Sequence, residues 1–328
     1  MNLEALNESP RLLLQAELKP VQGTRFQPTG FPDLGAAEYS VTDGRNMRNM
    51  LLLESAQSMA NRLEAACWDE GQGDLVPALQ GLPYVKSTLP DGTVTSSILE
   101  AHRLNSPYLC DATGYEVIKD AVGFIKDAPF DRRKLATALL RFDPNSLLHG
   151  IFLEKIGGVV RLPRALSAFV EAEDVHVAAA GGVKFDRVQP TSAGTNTKYG
   201  SANEGYGNVP YHRDEYTAKR IVAYFNLDLA LLRGLGLKDA ALRLMTTLAL
   251  YKIRRFLEAG LRLRTACDLD VVGEVEVQRP DGFALPTTEA LEQALPALIS
   301  ECAPLFNDPR VLELTYDKDK KSARTKKD

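Results

Sequence analysis

An α+β fold is what this sequence predicts, on three observations. Alternating or continuous apolar runs of strand length recur along the chain, notably at 11–19, 166–173 and 221–229. Two segments, 46–67 and 239–259, instead carry apolar residues every three or four positions, the period of a helix with one buried face. Between such runs lie connections dense in Gly and Pro.

The first strand is Arg11 to Lys19, stopped by Pro20. A turn-rich connector follows, with Gly23, Pro28, Gly30, Pro32 and Gly35 placed around Arg25, Phe26, Gln27 and Thr29. A glycine-rich link between strand and helix can cradle a phosphate. No Gly-Lys-Ser/Thr triplet is present, so it is not a Walker-type loop, and an ordinary connector is the competing reading. From 46 to 67 the helical stripe is Met47, Met50, Leu51, Leu52, Ala56, Met59, Leu63 and Ala66. Its other face presents Glu54, Ser55, Gln57, Ser58, Asn61 and Arg62, with Ser55, Ser58 and Arg62 on one side, either a binding face or a solvated one.

Residues 67–128 read as an inserted lobe. Strands at 82–89 and 94–99 flank Pro90-Asp91-Gly92, a hairpin turn, and a helix runs from 131 to 142. Residues 147–155 and 166–173 read as strands, and 176–188 as a hairpin broken at Gly181-Gly182, where backbone can approach a ligand. Lys184 is then either a phosphate contact or an edge lysine. Residues 190–216 are almost free of aliphatic side chains but hold four tyrosines, Tyr199, Tyr206, Tyr211 and Tyr216, with Lys198, His212 and Arg213 as cations. Ring faces stack on bases while amides and cations meet phosphate, so this composition suits a finger on single-stranded nucleic acid; a mobile surface loop is the alternative.

A half-buried strand follows at 221–229, then the long helix 239–259. Between Arg243 and Arg264 six cations, including Arg254, Arg262 and Arg264, stand against Glu258 alone. Arg262 and Arg264, two apart in a strand-like run, face one way and suit phosphate recognition. A last strand at 270–278, a C-terminal helix marked by Leu291, Leu295, Leu298 and Ile299, and a disordered basic tail over 317–328 complete the chain. The order strand, helix, strands, hairpin, strand, helix, strand is compatible with an elaborated ferredoxin-like, RNA-recognition-type core.

The totals narrow the function classes. With 45% hydrophobic and 25% charged residues, the 328-residue chain can bury a sizeable core. A net charge of -4 argues against indiscriminate coating of nucleic acid but permits a local basic groove. Cys67, Cys110, Cys267 and Cys302 form no Cys-x-x-Cys pair, and the four histidines are scattered, so neither a metal site nor a cofactor is expected. No segment approaches the ~20 apolar residues of a membrane helix, and the expected location is cytoplasmic.

Specific residues go further. Phe26 to Gly35 (FQPTGFPDLG), Leu53 to Glu64 (LESAQSMANRLE) and Leu99 to Pro107 (LEAHRLNSP) resemble the Csb-type backbone subunit of type I-G (formerly I-U) CRISPR effector complexes, a member of the RAMP superfamily. So do Leu162 to Phe169, Gly181-Gly182-Val183-Lys184, His212-Arg213-Asp214-Glu215 and the block from Ala223 to Leu269, a likeness spanning about residues 11–275. The resemblance implies a single RNA-recognition-type palm over 1–316, with the insertion at 67–128 and a thumb hairpin at 190–216. It also implies copies that polymerise along a CRISPR RNA, which pairs with target DNA beside other type I-G subunits. The expected role is non-enzymatic, since base pairing does the reading and the protein grips backbone and shape. The RNA-facing set expected from composition and motif position is Arg25, Gln27, Thr29, Gly30, Ser55, Ser58, Asn61, Arg62, Gly182 and Lys184. The thumb adds Lys198, Tyr199, His212 and Arg213, and Arg254, Arg262 and Arg264 complete it. The competing class is a RAMP-type endoribonuclease, with Asp33, Asp214 or His212 as nominees.

Overall fold

The computed structural model describes residues 3–31, 35–44, 46–185 and 208–317. Its centre is a seven-stranded antiparallel sheet. Four strands form the heart of it: Arg11–Pro20, Leu166–Glu173, Arg220–Asp228 and Cys267–Arg279. In space they lie in the order fourth, first, third, second. Helix Ala56–Ala65 connects the first to the second, and helix Asp239–Glu258 the third to the fourth. This is the split βαβ-βαβ arrangement of ferredoxin-like and RNA-recognition folds, so the expected α+β core is present. Strands Asn46–Glu54 and Glu38–Asp43 extend one edge and Arg262–Arg264 the other.

Alternation decides which face is buried. On strand 11–20, Leu12, Leu14, Ala16 and Leu18 point into the core, as do Ala223, Phe225 and Leu227 on strand 220–228. Both helices cover this face: Met59 and Leu63 come from the first, Leu244, Leu248 and Phe256 from the second. Phe225 and Phe256 meet edge to face, with centroids 6.3 Å apart. The opposite face is open, with Phe169 and Tyr224 stacked at 5.1 Å and ion pairs such as Arg220–Glu17 around them.

Three expected elements differ. The helix over 46–67 is a strand through Glu54 followed by a helix from Ala56. Met50 to Leu53 is a run of apolar residues in which Met50 and Leu51 pair with strands on both sides, and Ser55 caps the helix by accepting from the Ser58 amide at 3.3 Å. A strand abutting a helix produced the mixed spacing. Residues 147–155 are not one strand: helix Asn145–His149 ends at Gly150, and Ile151–Leu153 then pairs with Val160–Leu162. Buried Asp143 holds the helix start by accepting from Ser146 Oγ at 2.6 Å. Nor does the chain turn at Gly181-Gly182. Strand His176–Lys184 runs straight through and pairs with Val209–Thr217 over its full length, from His176↔Thr217 to Lys184↔Val209. Glycine is required there because a Cβ on Gly181 would meet the Tyr211 carbonyl oxygen at 2.6 Å.

Between helix 56–65 and strand 166–173, residues 68–153 fold into helices and short strands. Strands Tyr84–Thr88 and Val94–Ser96 form the expected hairpin. Val311–Thr315, from the far end of the chain, adds a third strand parallel to 84–88. Helix Arg132–Phe142 starts on the Asp131 cap, and helix Thr288–Cys302 packs on helix 239–258. No helix among the described residues is long and apolar enough to cross a membrane.

Candidate nucleic-acid interface

The connector after strand 11–20 is pinned at the root of the 176–184/209–217 hairpin. Phe26 is buried and exchanges both backbone hydrogen bonds with Tyr216, at 2.9 and 2.8 Å. The Gln27 amide donates to Ala266 O at 2.8 Å, in the turn between strands 262–264 and 267–279. Three sequence-distant segments thus meet at one point, and the start of helix 56–65 is the fourth.

Two buried carboxylates organise the cations there. Glu54, 3% exposed, accepts from Arg62 at 3.2 Å and from Arg264 Nη2. Arg264 also donates to Leu53 O at 2.9 Å and Gln27 O at 3.3 Å, while Arg62 reaches the carbonyls of Leu263 and Arg262. Glu215, 5% exposed, is held by Arg213 and by Arg25 at 3.3 Å. Arg213 extends to the Gln27 side-chain oxygen at 3.4 Å, joining the two groups into one network. Carboxylates this deep persist only when paired, and each here holds two guanidiniums, so each triad keeps one positive charge in excess. Arg62 Nε, Arg213 Nε and Asn61 Oδ1 are buried without a hydrogen-bond partner among the described residues. Burial lifts the neighbouring Cys267 thiol to about 11, with Arg264 opposing, so it is a packed thiol rather than a nucleophile.

The expected residues therefore fall into distinct groups. Arg25, Gln27, Arg62, Arg213 and Arg264 are brought together, and Arg262 lies beside them, 74% exposed and 3.6 Å from Asp268. Arg62 and Arg264 serve first as ties between segments. Ser55 and Ser58 form the helix cap; Thr29 and Gly30 lie on the connector. Gly182, Lys184 and His212 stand on the exposed hairpin arms, with His212 Nε2 3.8 Å from Asp214. Arg254 is elsewhere, donating to the carbonyls of Pro286 and Leu285 at 2.8 Å, so it braces helix 239–258 against the next segment. Lys198, Tyr199 and Asp33, most of the 190–216 segment and the tail from 318 lie outside the described residues.

The sequence pattern puts Glu54 on the polar face of a helix, whereas it is buried at the end of strand 46–54, and it misses Glu215 as a site residue; the two set the spacing of the cations. A signal existed for Glu54: a carboxylate directly after Leu51-Leu52-Leu53 must be buried or end the strand.

Comparison with known proteins gives the chain a family. Residues 12–177, just over half of the chain, match the model of the CRISPR-associated protein GSU0053 family. A comparison with curated protein sequences gives no match. Among solved structures, the chain is similar to one from a "CRISPR RNA-guided surveillance complex, pre-nicking". There the identity is 14% and the TM-score 0.40, over 87% of this chain and 80% of that one. A chain of another "CRISPR RNA-guided surveillance complex" gives 14%, 0.35, and 87% and 75%. Csc2 from Thermofilum pendens gives 11%, 0.32, and 92% and 79%. The match over residues 12–177 is what decides the assignment: the chain belongs to the CRISPR-associated protein GSU0053 family.

Proposed function

We propose that this protein is a non-enzymatic backbone subunit of a CRISPR RNA-guided surveillance complex, gripping the sugar-phosphate of the guide while copies line up along it. The observation that carries this reading is the convergence of Arg25, Arg62, Arg213, Arg262 and Arg264 on one patch against Glu54, Glu215 and Asp268, in a chain of net charge -4. Family membership supports it. Phosphate contacts are made by the cations that can leave their partners. Arg25, at 56% exposure, shares buried Glu215 with Arg213, Arg262 holds a surface contact with Asp268 that is weak in water, and Lys184 stands on the hairpin. A few contacts per copy suffice, because neighbours on one strand add affinity cooperatively. The paired target DNA and the other subunits of the complex are then partners through the guide.

The test is the RNA that travels with the protein. Purified with its complex, the wild type should carry a homogeneous short RNA with repeat-derived ends. In R25A/R262A/K184A, retention should weaken and the log-log salt slope should shrink by about two to three. A triple variant that holds RNA with the wild-type slope sinks the assigned patch.

A further inference from the structure

A second cationic feature lies about 140° around helix 56–65 from Arg62, on the side of Gln57. It is a groove of about 410 Å³ between that helix, the segment 101–105, and the short hairpin 151–153/160–162. Its walls include Gln57, Asn105, Arg103, Phe152, Arg161 and Arg164, and no carboxylate among the described residues lines it. Its shape is set by Gly150, at φ +74°, where a Cβ would lie 2.9 Å from both Arg164 N and Leu162 O.

The charges around the groove do not balance. Arg103 is spent below it, in a buried bidentate pair with Glu64 at 2.6 and 2.7 Å. Arg164 has no such partner among the described residues. Its guanidinium donates to two neutral oxygens, His149 O and Gln57 Oε1, each at 3.3 Å. Burial and the nearby Arg103 charge pull its proton affinity down, with the more distant Glu64 opposing. Arg161 is exposed and lies over the Phe152 ring, 5.2 Å from its centroid; that ring is 42% exposed. Behind them His149 is fully buried, its Nε2 3.0 Å from Lys252 Nζ and its Nδ1 without a hydrogen-bond partner among the described residues. Two guanidiniums, an accessible ring and two side-chain amides surround a space of the size that holds small ligands.

We propose that this groove binds one nucleotide of a single-stranded nucleic acid, with the phosphate on Arg161 and Arg164 and the base against Phe152. An acidic peptide would use the arginines but leave the ring and the amides idle. The proposal rests on the RNA-binding reading above but concerns a separate surface. It adds a contact set that the hairpin-root patch does not contain.

The experiment measures fluorescence anisotropy of a 5′-fluorescein 12-mer of uridine on the full chain over a range of salt. Arg161→Ala should weaken binding and reduce the log-log salt slope by about one. Phe152→Ala should weaken binding about five- to tenfold with the slope unchanged, because it removes stacking and not charge. Both residues are exposed, so these variants keep the test intact if Arg164→Ala fails to fold. Wild-type affinity in both Arg161→Ala and Phe152→Ala overturns the groove alone. A wild type that ignores the oligonucleotide overturns the groove and the RNA-binding reading together. Unchanged RNA binding with altered sedimentation of the free chain would make the groove a protein contact, which also ends the proposal.

Discussion

Glu54 shows how one side chain sets a surface. Its carboxylate lies under two guanidiniums, and they in turn hold the connector 21–29, helix 56–65 and strand 262–264. Removing a single partner from a buried pair leaves charge uncompensated, at a cost of about 3–5 kcal/mol. Glu54→Gln should therefore lower the urea midpoint by more than Arg262→Ala, whose side chain is mostly in water. Equal midpoints would show that Glu54 organises nothing. The core beside the groove adds a pH dependence with two opposing parts. His149 is kept neutral by burial and by Lys252, Arg103 and Arg164, well below its ordinary value, so it contributes stability above about pH 6.5 that is lost as pH falls. Burial lifts Glu64 to about 7 despite Arg103 and Lys252, with Asp143 adding to the rise. Its folded form thus binds protons more readily, and its contribution is lost as pH rises through 7. Across pH 5–7 the two slopes oppose. His149→Gln should become relatively more stable toward pH 5 and Glu64→Gln relatively less, read from urea midpoints at each pH. Parallel curves for both variants and wild type would contradict this.

At the scale of elements, the hairpin 176–184/209–217 stands apart from the core. Each arm is nine residues, about 30 Å when extended, and most of its side chains are exposed. Its anchor is at one end, where Val175, Glu215 and Tyr216 are buried and Phe26 bridges to Tyr216. Replacing residues 185–208 by Asn-Gly, a turn that suits two paired strands, should leave the melting temperature within a few degrees of wild type. The same change should stop regular stacking along the guide, seen as loss of ordered filaments by electron microscopy. A collapse of the melting temperature would make the segment part of the fold. Gly181 belongs at this scale too: its sequence signal is a turn, yet its role is to let two strands approach.

For the whole molecule the question is whether it cuts what it holds. General acid–base cleavage needs a positioned pair, and His212 and Asp214 are neighbours on an exposed strand, 3.8 Å apart and largely in water. The proposed sleeve requires no chemistry from them. The purified complex should leave a complementary RNA intact in the presence of magnesium or manganese, as judged on denaturing gels. Regularly spaced cuts, abolished by Asp214→Ala or Asp33→Ala, would replace the backbone reading with a nuclease.

Periodicity and turn chemistry are local, so the sequence alone determined the strands at 11–20, 166–173 and 220–228, the helix 239–258 and the Pro90-Asp91-Gly92 hairpin. Short-range motifs also carried the family resemblance. Where a strand runs straight into a helix, as at Glu54-Ser55-Ala56, local spacing mixes two periods, and pairing partners more than a hundred residues away settle the boundary. The parallel strand 311–315 is invisible for the same reason: its hydrogen bonds go to residues 84–88. Tertiary structure alone decided which arginines tie segments together and which stand exposed. That choice depends on two buried carboxylates and several backbone carbonyls, whose positions no stretch of sequence encodes by itself.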